Sequence, residues 1–200
     1  MILIGFSGPA GSGKDTAANT LVHHLGFNTT AFADPLKWGI CEMFCLDRDV
    51  FKSRETKEAK IPGLNLSPRE LAKIIGTDCV REMIGENTWI HVMAKRYQDF
   101  CASELTRLAI TDIRFENEAA WIRKSGGAVI HVVRSGVSWD KTAHASEHGI
   151  AIRPDDCILT NTGSLEEFEA KAIALCEAII GRAESGRESQ LDNLHDLEKL

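Results

Sequence analysis

Residues 8–16 read Gly8-Pro9-Ala10-Gly11-Ser12-Gly13-Lys14-Asp15-Thr16 and match the pattern G-x-x-x-x-G-K. In this pattern the glycines let successive backbone N–H groups converge on a phosphate without clashes from Cβ atoms. The lysine reaches the β- and γ-phosphates of a bound nucleoside triphosphate. We therefore predict a phosphate loop whose binding residues are Gly8, Gly11, Ser12, Gly13, Lys14, Asp15 and Thr16.

An apolar strand and an amphipathic helix flank this loop. Ile2–Phe6 is a short apolar run that ends beside the loop and predicts a buried strand. After the loop, apolar residues recur at helical spacing up to Leu25, and Gly26 stands where a helix would end. The N-terminus of such a helix presents the positive end of its dipole to an anion. This context turns the pattern into a specific prediction of triphosphate binding.

The metal ligand departs from the common pattern. A serine or threonine usually follows the lysine and binds Mg²⁺, but here Asp15 follows Lys14 and Thr16 comes one place later. We expect Thr16 to serve the Mg²⁺ ion, directly or through a water molecule, with Asp15 as the alternative.

Strand and helix signals continue to alternate along the chain. Further strands are predicted at Thr29–Ala33, Leu108–Ile113, Ala128–Val133 and Cys157–Thr160. Helix starts are predicted by capping boxes at Ser67 with Glu70 and at Ser164 with Glu167, by the cap residue Asn87, and near Asn117. The alternation predicts an α/β domain of the phosphate-loop NTPase type, with a parallel five-stranded sheet flanked by helices.

One domain with three special segments accounts for the length of the chain. Residues 1–181 form the predicted domain, and its last helix is expected to end at about Ile180. The mainly helical block at about 36–104 is predicted to be an insertion after the second strand. Residues 134–156 are irregular and rich in charge, and residues 182–200 are predicted to be a polar, frayed or disordered tail.

Composition argues against a nucleic-acid polymer and a membrane as partners. The net charge of −6 argues against a broad electrostatic grip on a nucleic-acid polymer, although a local cluster of cations can still bind a small anion. No apolar run approaches the roughly 20 residues that cross a bilayer, and the start of the chain lacks the features of a signal peptide. The six cysteines have no CxxC pairing, so we expect reduced thiols in a cytoplasmic protein, the host cytoplasm if it is viral.

The residues after the predicted strand Leu108–Ile113 indicate the type of triphosphate protein. No Asn-Lys-x-Asp segment is present, which argues against a switch GTPase, and no paired acids follow Asp112 as in motor-like ATPases. Instead Arg114 follows, and a cation beside a phosphate site suits an acceptor that is itself a phosphate.

Five segments in order carry a resemblance to a known family. They are Gly13-Lys14-Asp15-Thr16, Phe32-Ala33-Asp34-Pro35-Leu36-Lys37, Arg69…Gly76-Thr77 with Trp89, Asp112-Ile113-Arg114-Phe115-Glu116-Asn117-Glu118, and His144-Ala145-Ser146-Glu147. Together they resemble the bacteriophage deoxynucleoside monophosphate kinases over nearly the whole chain to about residue 180. The resemblance implies a nucleoside-monophosphate-kinase-like fold, ATP with Mg²⁺, and a deoxynucleoside monophosphate (dNMP) as acceptor. It also makes a homodimer a reasonable expectation.

The resemblance also suggests which residues form the acceptor site. They are Leu36, Lys37, Arg69, Gly76, Trp89, Asp112, Arg114 and Glu118, and the expected catalytic residues are Lys14, Asp112 and Arg114. Bland alternatives stay open for several of them. Arg69 fits a solvated surface arginine, Trp89 fits a core residue as well as a base-stacking one, and Glu118 fits a helix-start acid.

The segment 134–156 is interpreted as a mobile lid over the phosphates. Arg134 and Arg153 at its edges are candidates to stabilise charge during transfer. A metal site at His144, Glu147 and His148 is the weaker interpretation, because two histidines without further ligands are poor evidence for a metal.

Two other functions stay open from the sequence. One is a related small-molecule kinase that resembles phosphomevalonate kinase, with which the chain shares the Gly-Lys-Asp loop and an Ala-Asp-Pro-Leu-Lys segment. The other is a protein without enzymatic activity that uses ATP as a switch.

Overall fold

The computed structural model describes residues 1–140, 142 and 144–197, with side chains described up to residue 185. Residues 141 and 143 of the predicted lid and residues 198–200 of the predicted tail therefore lie outside the described residues.

Five parallel strands form one sheet in the order β2-β3-β1-β4-β5. The strands are β1 (Ile2–Ser7), β2 (Asn28–Thr30), β3 (Arg107–Ile113), β4 (Ala128–Arg134) and β5 (Cys157–Asn161). β2 and β3 lie on one side of β1 in the sheet, and β4 and β5 lie on its other side, so the strand order reverses at β1. Ligand crevices of parallel sheets lie at such a point, outside the carboxyl ends of the strands. The predicted parallel five-stranded sheet is confirmed.

Helices cover both faces of the sheet. Among the described residues the α-helices are α1 (Lys14–Leu25), α2 (Asp34–Met43), α3 (Arg54–Glu58), α4 (Pro68–Lys73), α5 (Thr88–Ala102), α6 (Glu116–Lys124) and α7 (Leu165–Leu197). A π-helix spans Ile74–Ile84, and short 3₁₀ turns span Arg48–Phe51 and Ala145–Glu147. No helix in the described part of the chain is both long and apolar enough to cross a membrane.

The core has a layer on each face of the sheet and a third cluster in the insertion. On one face, Leu21 of α1 and Phe168 of α7 pack against Phe6 of β1. On the other face, residues of α5 and α6 pack against β3. All six residues of β1 are buried, as expected for a central parallel strand covered on both faces. The third cluster joins α2 to α4 within the helical insertion.

The predicted end of the second strand is wrong. The strand was expected to continue to Ala33, but β2 ends at Thr30. The carboxylate of Asp112 accepts hydrogen bonds from the backbone N–H groups of Phe32 (2.7 Å) and Ala33 (2.9 Å), which a continued strand would need for its own ladder. The chain therefore turns here and enters α2.

Other helix ends confirm or correct the sequence prediction. Both capping boxes are present, at Ser67 with Glu70 and at Ser164 with Glu167. Asn87 precedes α5 but makes no side-chain cap, because its Oδ1 accepts a hydrogen bond from Asn117 instead. The last helix does not end near Ile180 but continues to Leu197. Its second half is polar, but residues 182–197 include two Arg, two Glu and three Leu residues, which are strong helix formers.

Candidate active site

The phosphate loop joins β1 to α1 at the carboxyl edge of the sheet. Gly11 (φ 81°) and Gly13 (φ 104°) adopt the left-handed conformation that other residues rarely reach. A Cβ atom on Gly8 would lie 2.5 Å from Ser12 Oγ and 2.8 Å from the carbonyl oxygen of Val132. The glycine spacing that predicted the loop is thus required by backbone conformation at two positions and by close packing at a third.

Lys14 lies in the first turn of α1 with its side chain 13% exposed. Burial lowers the pKa of its ammonium group, and the nearby cations Arg114 and Lys57 add to this, whereas Asp15 and Asp112 oppose it. An anion that binds beside a partly buried ammonium group with other cations nearby stabilises the charged form of that group. It is therefore suited to bind phosphate oxygens.

A cavity of about 410 Å³ lies on one side of the phosphate loop. Its walls are formed by Gly11, Gly13, Lys14, Asp15, Thr16, Arg134, Asn161, Gly163, Ser164, Leu165 and Phe168. It contains Thr16, the expected Mg²⁺ ligand. Its size falls in the range of small-molecule and nucleotide sites.

Two side chains that follow strands hold the phosphate loop from this side. Asn161 at the end of β5 donates a hydrogen bond of 2.8 Å to the carbonyl oxygen of Ser12, and Arg134 at the end of β4 donates one of 3.2 Å to that of Gly11. The sequence analysis placed Arg134 at the edge of the lid and overlooked Asn161. Its position directly after a predicted strand was the available signal, because parallel strands end beside the crevice.

The phosphate loop has a hydroxyl group that is available to a phosphate oxygen. Ser12 Oγ is buried and makes no hydrogen bond to another described residue, so a polar atom of the loop lacks a partner.

Within the described residues, no group of three or more His, Cys, Asp or Glu side chains is placed to hold a metal ion. His144 instead lies within hydrogen-bonding distance of Asp78 and Ser146.

A second cavity, of about 520 Å³, lies on the other side of the loop and shares Gly11, Lys14 and Asp15 with the first. It brings together every residue of the predicted acceptor site. These are Leu36, Lys37, Arg69, Gly76, Trp89, Asp112, Arg114 and Glu118, from the insertion and from the segment after β3. Arg153, a predicted lid cation, lines neither cavity, is about half exposed and pairs with Glu116.

The second cavity is strongly cationic in a chain of net charge −6. Four carboxylates line it, together with eight cations: Lys14, Lys37, Lys52, Lys57, Arg69, Lys73, Arg81 and Arg114. The sequence analysis missed Lys52, Lys57, Lys73 and Arg81. Only Lys73 carried a usable signal, because it follows Arg69 by four residues and so shares its helix face. A cavity with this excess of positive charge is suited to bind a small anion.

Asp112 fixes the shape of the cavity rather than presenting a free carboxylate. Its two oxygens accept the backbone hydrogen bonds from Phe32 and Ala33 described above, 79 residues or more away in sequence. Burial raises its pKa, whereas Lys37, these hydrogen bonds and Arg114 oppose the rise. The turn that it holds leads into α2, which carries Leu36 and Lys37.

Glu118 and Arg81 form a buried pair in the cavity wall. Glu118 accepts hydrogen bonds from the backbone N–H groups of Arg114 (2.9 Å) and Phe115 (3.1 Å), and Arg81 Nη1 lies 3.4 Å from its other oxygen. Burial, with the nearby Asp112, raises the pKa of Glu118 to about 7. The Arg81 guanidinium lies 3.7 Å above the Phe115 ring and also binds Asn117. Glu118 therefore caps α6 and fixes the backbone of Arg114.

Trp89 and Gly76 close the end of the cavity that lies in the insertion. Trp89 Nε1 donates a hydrogen bond of 2.8 Å to the carbonyl oxygen of Gly76, and the ring packs against both the sheet and the insertion clusters. A Cβ atom on Gly76 would collide with the side chain of Leu36. The tryptophan thus both packs in the core and lines the cavity.

The lid segment is docked over this second cavity. Arg114 donates a hydrogen bond of 3.1 Å to the carbonyl oxygen of Ser146. Glu147 pairs with Arg69 at 3.0 Å and with Lys73 at 2.6 Å. The His144–Glu147 segment therefore contacts the candidate acceptor site directly.

Solved structures share this architecture. A sugar kinase from Janibacter sp. HTCC2649 superposes with a TM-score of 0.50 at 13% identity, over 90% of this chain and 98% of that one. A gluconokinase from Sinorhizobium meliloti 1021 also gives 0.50, at 12% identity over 94% and 97% of the two chains. At such low identity these matches show the fold alone.

Sequence relatives are more specific. A protein of Acanthamoeba polyphaga mimivirus, named provisionally as a deoxynucleotide monophosphate kinase, is 35% identical over 185 residues, which cover 87% of this chain and 95% of that protein. The deoxynucleotide monophosphate kinase of Escherichia phage RB69 is 40% identical over 106 residues, and that of Enterobacteria phage T4 is 36% identical over 105. Each phage match covers 52% of this chain and 43% of the phage protein.

The family described as deoxynucleotide monophosphate kinase matches residues 51–172, which include most of the insertion, the segment after β3 and the lid. Together with the match to the viral protein, which covers 87% of this chain, this confirms the resemblance drawn from the five segments. The chain belongs to the deoxynucleotide monophosphate kinase family.

Proposed function

We propose that this protein transfers the γ-phosphate of ATP to a dNMP and releases ADP and a deoxynucleoside diphosphate. The observation that carries the proposal is the position of Lys14 at the junction of the two cavities, which share the phosphate loop. A donor bound in the first cavity and an acceptor bound in the second would meet at Lys14. Family membership supports a phosphate monoester of a deoxynucleoside as that acceptor.

The first cavity would bind ATP. The N–H groups of the phosphate loop and the N-terminus of α1 face the phosphates in a loop of this type, and Lys14 binds the β- and γ-phosphates. Asn161 and Arg134 hold the loop carbonyls and so keep its N–H groups aligned. Mg²⁺, held by Thr16 directly or through water and by the phosphates themselves, would neutralise charge on the transferred group.

The second cavity would bind the acceptor. Arg69, Lys37 and Arg114 line it and would hold the monophosphate, while Trp89 and Leu36 would offer apolar surface to the base and sugar. A stacked base is worth about 1–3 kcal/mol of binding free energy. Asp112 and Glu118 would act through the backbone, since the first shapes the turn before Lys37 and the second fixes Arg114.

The chemistry needs no strong general base, because the attacking oxygen of a monophosphate is already anionic at neutral pH. That oxygen forms a bond to the γ-phosphorus while the bond from this phosphorus to the β–γ bridging oxygen breaks, and the leaving electron pair stays on ADP. Catalysis is then alignment of the two nucleotides and neutralisation of charge. Lys14, whose pKa is lowered in part by the nearby Arg114, and Arg114 itself are the side chains that would do both.

A coupled assay of ADP release with a panel of dNMPs, NMPs and phosphomevalonate tests this function. We expect dNMPs to stimulate release, and Lys14→Ala to abolish it while the circular dichroism spectrum stays unchanged. Stimulation by phosphomevalonate alone would favour the small-molecule kinase that the sequence left open. Stimulation by none of these acceptors would favour an ATP-dependent switch.

Two expectations accompany the proposal. The acidic net charge supports a small acceptor rather than a nucleic-acid polymer, and the cysteines without CxxC pairing support a cytoplasmic setting. The family resemblance supports a homodimer, which light scattering on purified protein would test.

A further inference from the structure

The lid motif His144–Glu147 has no part in the transfer as proposed, yet its acid occupies the acceptor cavity. One oxygen of Glu147, Oε1, lies 3.0 Å from Arg69 Nη2 and 2.6 Å from Lys73 Nζ. All three side chains line the cavity, and each is at most 30% exposed. Two cations from successive turns of α4 thus converge on a single carboxylate oxygen.

This arrangement is a formed anion site. Burial raises the pKa of Glu147, but hydrogen bonds and charge from Lys73 and Arg69 outweigh burial and lower it to about 2. The carboxylate is therefore ionised throughout the neutral range. Arginine and lysine that converge on one oxygen form the kind of site that also binds a phosphate oxygen.

Neighbouring contacts hold the acid in place. Ser146, the residue before it, accepts a hydrogen bond from Arg114, and His144 lies 3.0 Å from Asp78 of the π-helix. The same short segment therefore touches Arg69 and Arg114, the two arginines that the proposed function gives to the acceptor.

We propose that Glu147 is an internal stand-in for the acceptor's phosphate. Its carboxylate fills the anion site of Arg69 and Lys73 until the phosphate of the acceptor displaces it, and Lys73 is thereby a further acceptor-binding residue. The identity of the displacing anion as a dNMP rests on the proposed function.

Charge favours the exchange. A phosphate monoester carries a charge of about −1.5 to −2 at neutral pH and three acceptor oxygens, against a charge of −1 on the carboxylate. On displacement Arg69 and Lys73 gain the phosphate as their partner, and the Glu147 carboxylate, which is already 22% exposed, would be hydrated instead. The acceptor's phosphate cannot bind while Glu147 occupies the site. The apparent Kd of the acceptor therefore rises as the fraction of molecules with an open site falls.

The Glu147→Gln variant of the full chain separates this role from a positioning role. Binding of inorganic phosphate and of each dNMP, measured by titration calorimetry without ATP, is expected to tighten by about threefold to tenfold. The KM for the acceptor should fall in parallel, with the KM for ATP unchanged. Glu58→Gln is the matched control, because Glu58 also pairs with Arg69, at 3.3 Å, but does not line the cavity. It should change neither constant by more than about twofold.

Lys73→Gln tests the second half of the proposal. This variant should weaken binding of inorganic phosphate and of the dNMPs. Combined with Glu147→Gln, it should remove much of the increase in affinity that Glu147→Gln gives alone. Lys60→Gln, which loses a similar ion pair with Glu70 outside the cavity, should leave binding unchanged. Thermal unfolding of each variant checks that it is folded. If Lys73→Gln does not fold, the binding measurements on Glu147→Gln alone test the proposal.

Weaker or unchanged acceptor binding in Glu147→Gln would overturn the proposal, because the acid would then position the cations rather than replace the phosphate. The proposed function can fail separately. Tighter phosphate binding in this variant, without dNMP-stimulated ADP release from the unsubstituted protein, would leave the stand-in intact and reject the dNMP kinase.

Discussion

The side-chain amide of Asn161 donates a hydrogen bond of 2.8 Å to the carbonyl oxygen of Ser12, 149 residues earlier in the chain. The bond connects the end of the last strand to the middle of the phosphate loop. A Cβ atom on Gly13 would collide with the same amide. The conformation of the loop therefore depends on β5 as well as on the glycines of the loop itself.

Asn161→Ala should impair ATP binding selectively. Without the amide, the Ser12 carbonyl loses its partner, so the loop becomes less well ordered and the KM for ATP should rise by about threefold to tenfold, with a loss of about 1 kcal/mol in the free energy of unfolding. The KM for the acceptor should not change. Steady-state kinetics and urea denaturation measure these effects. Thr160→Ala, at an exposed position of the same strand, is the control, and an unchanged KM for ATP in Asn161→Ala would reject this role.

Arg114→Ala should raise the KM for the acceptor and lower kcat together. Its guanidinium lies in the second cavity near Lys14, and removing it leaves charge on the transferred group without a partner, at a cost on the order of 10²-fold in kcat/KM. Arg114→Lys should recover part of this, since it restores the charge without the planar fork. Arg153→Ala, outside both cavities, should leave the acceptor kinetics unchanged. If only the KM for ATP rose in Arg114→Ala, the acceptor assignment would be wrong.

Gly76→Ala should weaken acceptor binding through Leu36. The new Cβ atom would push the Leu36 side chain, which lines the cavity, so the KM for the acceptor should rise while the fold persists. Shortening the neighbour in Gly76→Ala/Leu36→Val should restore part of the loss. Gly39→Ala in α2 is the control, because its added methyl group meets no atom within 4 Å. It should stabilise the protein by about 0.5–1 kcal/mol. Equal acceptor KM values for Gly76→Ala and the unsubstituted protein would contradict this prediction.

Glu118 should make stability fall as pH rises toward neutrality. Burial raises its pKa from 4.5 to about 7 in the folded protein. Between these values the folded state holds a proton that the unfolded state has lost. The contribution of protonated Glu118 to the free energy of unfolding is therefore fully present below pH 4.5 and is lost as pH rises through about 7.

The unsubstituted protein and Glu118→Gln, compared by urea denaturation from pH 4 to pH 8, test this sign. The difference in unfolding free energy between them should decline over that window, by at most about 1.4 kcal/mol per pH unit. A difference that rises with pH would show that Arg81 keeps the carboxylate ionised at lower pH.

Local features of the fold were predictable from the sequence because they depend on residues only a few positions apart. The glycine spacing of residues 8–13, the helix that begins at Lys14 and both capping boxes belong to this class. Apart from Arg114, which follows the predicted strand Leu108–Ile113, the acceptor residues were predictable only by resemblance, since no local pattern connects Arg69 to Arg114. The end of β2 was mispredicted because Asp112, far away in sequence, captures the N–H groups of Phe32 and Ala33.

By itself, then, the sequence determined that a strand, a phosphate loop and a helix follow one another, and that the strands alternate with helices. Only the tertiary structure decided the order of the strands, and with it which side chains meet. Strand order brings Asn161 to Ser12, and the docking of the insertion brings Arg81 to Glu118. The physical reason is range: periodicity and capping act within about one helical turn, whereas contacts across the sheet depend on how the whole chain packs.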